Sequence, residues 1–158
     1  MGIEELMSRR PATCGPDDSL RDAEQKMQGA NCESLPVTAG EGSRLLVGVI
    51  TDGDIRMAAE LEGRSLEELR VRDAMAKEVR VCTPADGLAE AEEFMHEEGL
   101  RRLPVVDEAG RLLGVLRLAD VARTAMRNSE ALSAQISAAH FSVAASHIHE
   151  PRRSVKPR

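Results

Sequence analysis

A threonine and two aspartates stand where an apolar run ends: Thr51, Asp52 and Asp54 in "LLVGVITDGDIRMAA", Leu45 to Ala59. An ionised carboxylate accepts hydrogen bonds and donates none, so Asp54 can grip a vicinal diol. A strand-to-helix junction also leaves backbone N–H groups unpaired, and these suit a phosphate or a hydroxyl. A plainer role competes with this chemistry. Thr51 or Asp52 can cap the following helix, and Asp54 in its first turn complements the helix dipole. Asp54 alone repels phosphate, so a nucleotide would also need cations nearby.

Other reactive side chains are few. Three cysteines with no CxxC pair fit reduced thiols better than a disulfide framework. Cys14 and Cys82 read as small apolar packing groups, and Cys32 in "GANCES" as the more exposed thiol. His140, His147 and His149 lie near the C-terminus without a nearby cysteine or acid cluster, a poor metal signature, so no metal ligands are assigned. No Gly-rich phosphate loop, paired-acid motif or nucleophile–histidine arrangement argues for catalysis, and the chain is not expected to be an enzyme.

The elements that carry these residues occur twice. "MSRRPATCGPDDSLRDAEQKMQGANCESLPV" (Met7 to Val37) aligns without a gap on "MAKEVRVCTPADGLAEAEEFMHEEGLRRLPV" (Met75 to Val105). After a loop longer by two residues in copy one, "LLVGVITDGDI" falls over "RLLGVLRLADV". Each copy opens with a short strand, Ala12 to Cys14 or Arg80 to Cys82, and a Pro-Asp turn. Asp18 or Asp86 is then placed to cap a helix carrying Leu20, Ala23 and Met27, or Leu88, Ala91 and Met95, on one face. A strand around "LPV", a turn, a second strand and a second helix (Asp52 to Leu61, or Leu118 to Arg127) complete the order β-α-β-β-α.

The resulting fold class is α/β (α+β): two repeats packed about a pseudo-twofold axis, plus a C-terminal helix. The expected boundaries are 1–62 for the first repeat, 63–74 for a linker, 75–127 for the second repeat and 128–158 for a helical extension with a basic tail. Ser65 and Glu68 form a capping-box pattern, which predicts a short helix in the linker. Leu132, Ile136, Ala139 and Val143 fall on one stripe of the extension, suited to packing on the module or across a dimer.

From about Glu5 to Arg127 the chain resembles a tandem pair of CBS domains, a Bateman module. The likeness rests on the repeat, on "RRLPVV" before the hairpin, on "VRDAM" leading into copy two, and on "GVITDGDI". The resemblance implies a regulatory module that binds adenosine-containing ligands between its copies. It places Thr51 on ribose or phosphate and Asp54 on the ribose hydroxyls. The matching positions in copy two are Arg117 and Asp120, where arginine replaces the hydroxyl residue and is suited to a phosphate. Arg101 and Arg102 hold positions that contact phosphate in this family, where copy one has Glu33 and Ser34. A salt bridge to Glu97 or Glu98 is the structural alternative for at least one of these arginines.

Composition bounds the partners. The net charge of −6 and only two aromatic residues, Phe94 and Phe141, disfavour nucleic acid. The terminal cluster Arg152, Arg153, Lys156 and Arg158 reads as a solvated tail. No apolar stretch reaches the ~18 residues of a membrane span, and no signal-peptide core is present, so a cytoplasmic protein is expected. The expected function is a stand-alone sensor, needing no cofactor, that binds AMP, ADP, ATP, S-adenosylmethionine or NAD. It would act as a homodimer and signal to an effector protein. The alternatives are a ligand-independent interaction scaffold and a thiol or metal sensor.

Overall fold

The computed structural model describes residues 1–135 and 153–155. Copy one contains α2 (Leu20–Gly29), β1 (Ser34–Thr38), β2 (Leu46–Thr51) and α3 (Asp52–Glu62). Copy two answers with β3 (Val79–Val81), α5 (Leu88–Glu97), β4 (Arg102–Val106), β5 (Leu112–Arg117) and α6 (Leu118–Gln135). Short helices α1 (Ile3–Leu6) and α4 (Val71–Ala74) precede the two copies, and β6 (Arg153–Val155) follows them. β1 pairs antiparallel with β2, and β4 with β5. Cys14 bridges parallel to Val37, and Cys82 to Val105, so each hairpin gains a third strand or strand-like edge. Among the described residues no helix is long and apolar enough to cross a membrane.

The periodic apolar residues do what their spacing predicts. Leu20, Ala23 and Met27 are buried along α2, and Ala91 and Met95 along α5. β2 alternates buried and half-buried positions, the pattern of a strand with one face on a core.

The two cores are assembled by exchange. Ile3 and Met7, which precede copy one in sequence, are buried in the copy-two core with Met95, Leu103 and Leu116. Leu69 and Val71, which precede copy two, are buried in the copy-one core with Leu20, Leu35 and Ile50. Backbone pairing follows the same swap. Ser8 and Val115 exchange N–H···O bonds of 2.9 and 3.0 Å, and Ala76 and Val49 exchange bonds of 2.9 and 3.0 Å. Leu46, Val79, Val81, Val106 and Leu112 form a third cluster drawn from both copies. The hairpins also meet each other, with Leu45 bridged antiparallel to Arg111.

Several expectations are corrected. Asp18 and Asp86 do not cap the helices; they accept the Gly15 and Thr83 N–H groups at 2.8 Å and close the preceding turns. The cap of α2 is one residue later, where Ser19 Oγ accepts the Asp22 N–H. Ser65 and Glu68 make a single turn in which the Glu68 and Leu69 N–H groups donate to the Ser65 carbonyl. The Glu68 carboxylate pairs with Arg64 at 3.4 Å instead of capping, and the linker's helix is α4. Around Ala12 to Cys14 only the Cys14 bridge forms, whereas β3 is a true strand. The terminal basic segment is not wholly a solvated tail: Arg153–Val155 pairs antiparallel with β3, Val155 facing Val79 in register. α6 runs unbroken past residue 127. The predicted stripe beyond Gln135 and the three C-terminal histidines lie outside the described residues.

Candidate functional site

A cavity of about 550 Å³ opens between the two hairpins. Its walls are largely aliphatic: Pro36 and Val49 face it from copy one, and Pro104 and Val115 from copy two. Among the described residues no aromatic ring lines it, so a flat base entering it would lie between aliphatic side chains. The crossing leaders supply the floor, with Ser8, Arg10 and Ala12 from one and Ala76, Glu78 and Val79 from the other. A shallower outer cleft shares Thr51, Arg102 and Arg117 with it and reaches Asp52, Gly53 and Arg101. The N-termini of α3 and α6 therefore stand at the mouth, where the helix dipole favours anions. The Asp52 and Leu118 N–H groups there are already bonded to the Glu33 and Arg101 carbonyls, each at 2.9 Å, and the Asp54 N–H to Thr51 Oγ1.

The predicted site residues divide into two sets. Thr51, Arg102 and Arg117 line the inner cavity, and Arg101 lines the outer cleft. Asp54 and Asp120 line neither and stand beside them on α3 and α6. Asp54 Oδ2 accepts the Thr51 N–H at 2.9 Å while Thr51 Oγ1 accepts the Asp54 N–H at 3.1 Å. This reciprocal capping box assigns the cap to Thr51, and Asp52 is left to pair with Arg56 at 3.2 Å. Asp120 has a different partner set. Arg117 Nε donates to its Oδ2 at 2.7 Å, and Arg123 Nη2 donates to its Oδ1. The Asp120 side chain is 16% exposed and Arg117 is 50% exposed.

The cations of the cleft are not equally committed. Arg101 reaches across the mouth to Glu33 at 3.7 Å, its counterpart in the repeat. The expected bridge to Glu97 or Glu98 is not made by either arginine, because Glu98 pairs with Arg80 at 3.6 Å. The hairpins are brought together by the pseudo-twofold packing, which a reading along α5 alone does not see. Arg101 and Glu33 are 84% and 79% exposed, so their bridge contributes ~0–1 kcal/mol. Arg10 and Arg102 have no ion-pair partner among the described residues.

Sequence reasoning missed the leaders as cleft walls. The signal was present in "VRDAM", which precedes copy two as a unit, but its contacts lie far away in the chain. It also left Cys32 as a loop thiol, although Cys32 lines both the inner and outer cleft. Cys14 is buried, and loss of solvation, with the nearby Asp18 charge adding to it, pushes its thiol up to about 12. Cys82 is also buried. A thiol reagent at pH 8 is therefore expected to label Cys32 alone in the folded chain and all three cysteines in denaturant. Intact mass measurement reads the difference; rapid labelling of Cys14 in the native state would contradict its burial. Among the described residues no cluster of three metal-binding side chains occurs.

Comparison with known proteins fits this geometry. The CBS domain family model matches residues 3–60 and again 71–127. The CBS domain-containing protein YhcV of Bacillus subtilis is 29% identical over 141 residues, covering 89% of this chain and 97% of that protein. Inosine-5'-monophosphate dehydrogenase of Methanocaldococcus jannaschii is 33% identical over 119 residues, but the match covers 75% of this chain and only 22% of the enzyme. CBSX2, whose structure in complex with AMP is solved and which comes from Arabidopsis thaliana, superposes with a TM-score of 0.70 at 28% identity, over 81% of this chain and 98% of that chain. Two matched repeats, each leader buried in the opposite copy, and a cleft between paired hairpins lead to one assignment: the chain belongs to the CBS domain family, as a regulatory CBS pair.

Proposed function

We propose that this CBS pair is a cytoplasmic sensor that binds an adenosine-containing ligand in the cleft between its copies and passes the signal to an effector protein, acting as a homodimer. The observation that carries the reading is the cleft itself, an aliphatic slot with Thr51, Arg102 and Arg117 at its polar edge. A purine fits the slot by apolar contact, and a phosphate fits the arginines by charge-assisted hydrogen bonds. Asp54 is the proposed ribose ligand. Its Oδ2 already holds the Thr51 N–H, which fixes the carboxylate and leaves Oδ1 to accept from a hydroxyl. The AMP bound by CBSX2 supports the ligand class. Signalling follows only if two states of the module differ in ligand affinity.

Thermal unfolding with AMP, ADP, ATP, S-adenosylmethionine and NAD tests the reading. A ligand at one hundred times its dissociation constant adds about 2.7 kcal/mol. For a chain of this size that raises Tm by roughly 5–10 °C. Asp54→Ala is expected to lower the unliganded stability by ~1 kcal/mol through loss of the capping box, and to abolish most of the ligand-induced rise. Absence of a shift with every ligand rejects the sensor reading and favours the scaffold. A full shift in Asp54→Ala moves the ribose contact elsewhere.

A further inference from the structure

The two ends of the cleft are related by the repeat, yet their charges are opposite. At the copy-one end stand Glu33, Ser34 and Thr51, with Asp52 already neutralised by Arg56. Their counterparts at the copy-two end are Arg101, Arg102, Arg117 and the uncharged Leu118. The exchange of leaders adds a cation to one end. Arg10 follows Ser8, which is bridged to Val115 of copy two, whereas its counterpart Glu78 follows Ala76, which is bridged to Val49 of copy one, and is paired with Arg80 at 3.9 Å.

The paired aspartates differ in the same sense. Asp54 commits one oxygen to a backbone N–H that every residue type at position 51 except proline would supply. Asp120 has both oxygens occupied by guanidinium groups, Arg117 on one and Arg123 on the other. Each Asp120 oxygen keeps a second lone pair, but two guanidinium groups offset the charge locally and crowd the carboxylate, which makes it a weaker acceptor for a ribose diol than Asp54.

We infer that the cleft takes one nucleoside ligand per chain in a single direction, because Arg117 and Arg123 close Asp120 to ribose and turn the copy-two end into an anion site. This rests on the adenosyl-ligand reading above. The sugar lies at the copy-one end and the tail extends towards Arg102 and Arg117. Tails carrying two or more phosphates are favoured. A tail with a sulfonium and an ammonium group is disfavoured, since like charges would meet at Arg102. The pair is thus a polyphosphate-selective module despite the formal symmetry of its fold.

Isothermal titration of the full chain with adenosine, ADP and S-adenosylmethionine tests this. One site per chain is expected, with ADP bound at least about tenfold more tightly than either of the others. Arg117→Gln, at a half-exposed position that the fold tolerates, is expected to remove about tenfold from ADP affinity and to change adenosine affinity less than about twofold. Asp120→Asn is expected to leave adenosine affinity within about twofold, whereas Asp54→Asn lowers it about tenfold. Two sites in the unmodified chain, equal affinity for ADP and adenosine, or a larger adenosine loss in Asp120→Asn than in Asp54→Asn would each overturn the inference while leaving the sensor reading intact. Failure of every adenosyl ligand to bind would instead remove the reading on which it stands. Circular dichroism melts of the variants confirm that each is folded before it is titrated.

Discussion

Replacing Ile3 by alanine is expected to destabilise the protein by about 3 kcal/mol. The residue is fully buried, within a cluster that also contains Met7, Met95, Leu103 and Leu116. Truncation removes apolar contact from a core that α1 cannot refill by sliding. The Met7 N–H is bonded to the Ile3 carbonyl, and Ser8 is held by two bonds to Val115. A loss of that size lowers Tm by roughly 6–12 °C. Met57→Ala is the control, since Met57 is 62% exposed, and its effect should stay within about 0.5 kcal/mol. Urea denaturation followed by circular dichroism measures both. A loss below ~1 kcal/mol in Ile3→Ala would mean that α1 is dispensable and that the copy-two core closes without the leader.

That expectation shows where sequence reading stops. The repeat was legible because helices and strands announce themselves locally: Leu20, Ala23 and Met27 fall on one face whatever surrounds them. The destination of Ile3 and Met7 was not, because nothing in "MGIEELM" distinguishes packing on copy one from packing on copy two. The same holds for Arg101. Its local neighbours on the chain include Glu97 and Glu98, but its partner is Glu33, brought near by the pseudo-twofold axis. β6 was invisible for another reason, since "RSV" between Arg152 and Lys156 carries no alternation long enough to read as a strand. At the candidate site, motif position alone pointed to Thr51, Arg102 and Arg117, which line the cavity. Their unequal commitments required coordinates: only distances distinguish an Asp120 held by two arginines from an Asp54 held by a backbone amide.

The exchanged leaders also bear on regulation. They supply part of the cleft floor and are buried in the opposite core, so ligand contact and core packing are mechanically joined. A ligand touching both leaders senses the relative placement of the two copies. A ligand confined to one hairpin would not. On the proposed sensor reading, occupancy is therefore reported through the arrangement of the two halves.

The motif glycines provide the second test. Gly48 and Gly114 are the matched glycines of "GVITDGDI" and "GVLRLADV", and neither has a positive φ that would demand glycine. What demands it is the crossing leader. A Cβ on Gly114 would stand 2.5 Å from the Ser8 carbonyl oxygen and 2.9 Å from Met7 Sδ. A Cβ on Gly48 would stand 2.8 Å from both the Ala76 carbonyl oxygen and Met75 Sδ. A methionine sulfur can swing away, but a carbonyl held in a strand bridge moves only if the bridge opens. Gly114→Ala is therefore expected to cost about 2–4 kcal/mol, combining overpacking with loss of one or both Ser8–Val115 hydrogen bonds. Gly48→Ala should cost less, because its clash with backbone is milder. Gly29→Ala, with open space around its Cβ position at the end of α2, should be neutral or slightly stabilising. Since Ser8 and Val115 both line the cleft, Gly114→Ala should also weaken any adenosyl ligand, whereas Gly29→Ala should not. Equal stability of Gly114→Ala and Gly29→Ala would show that the leader does not cross at Gly114, and with it the exchanged packing that forms the cleft floor would fall.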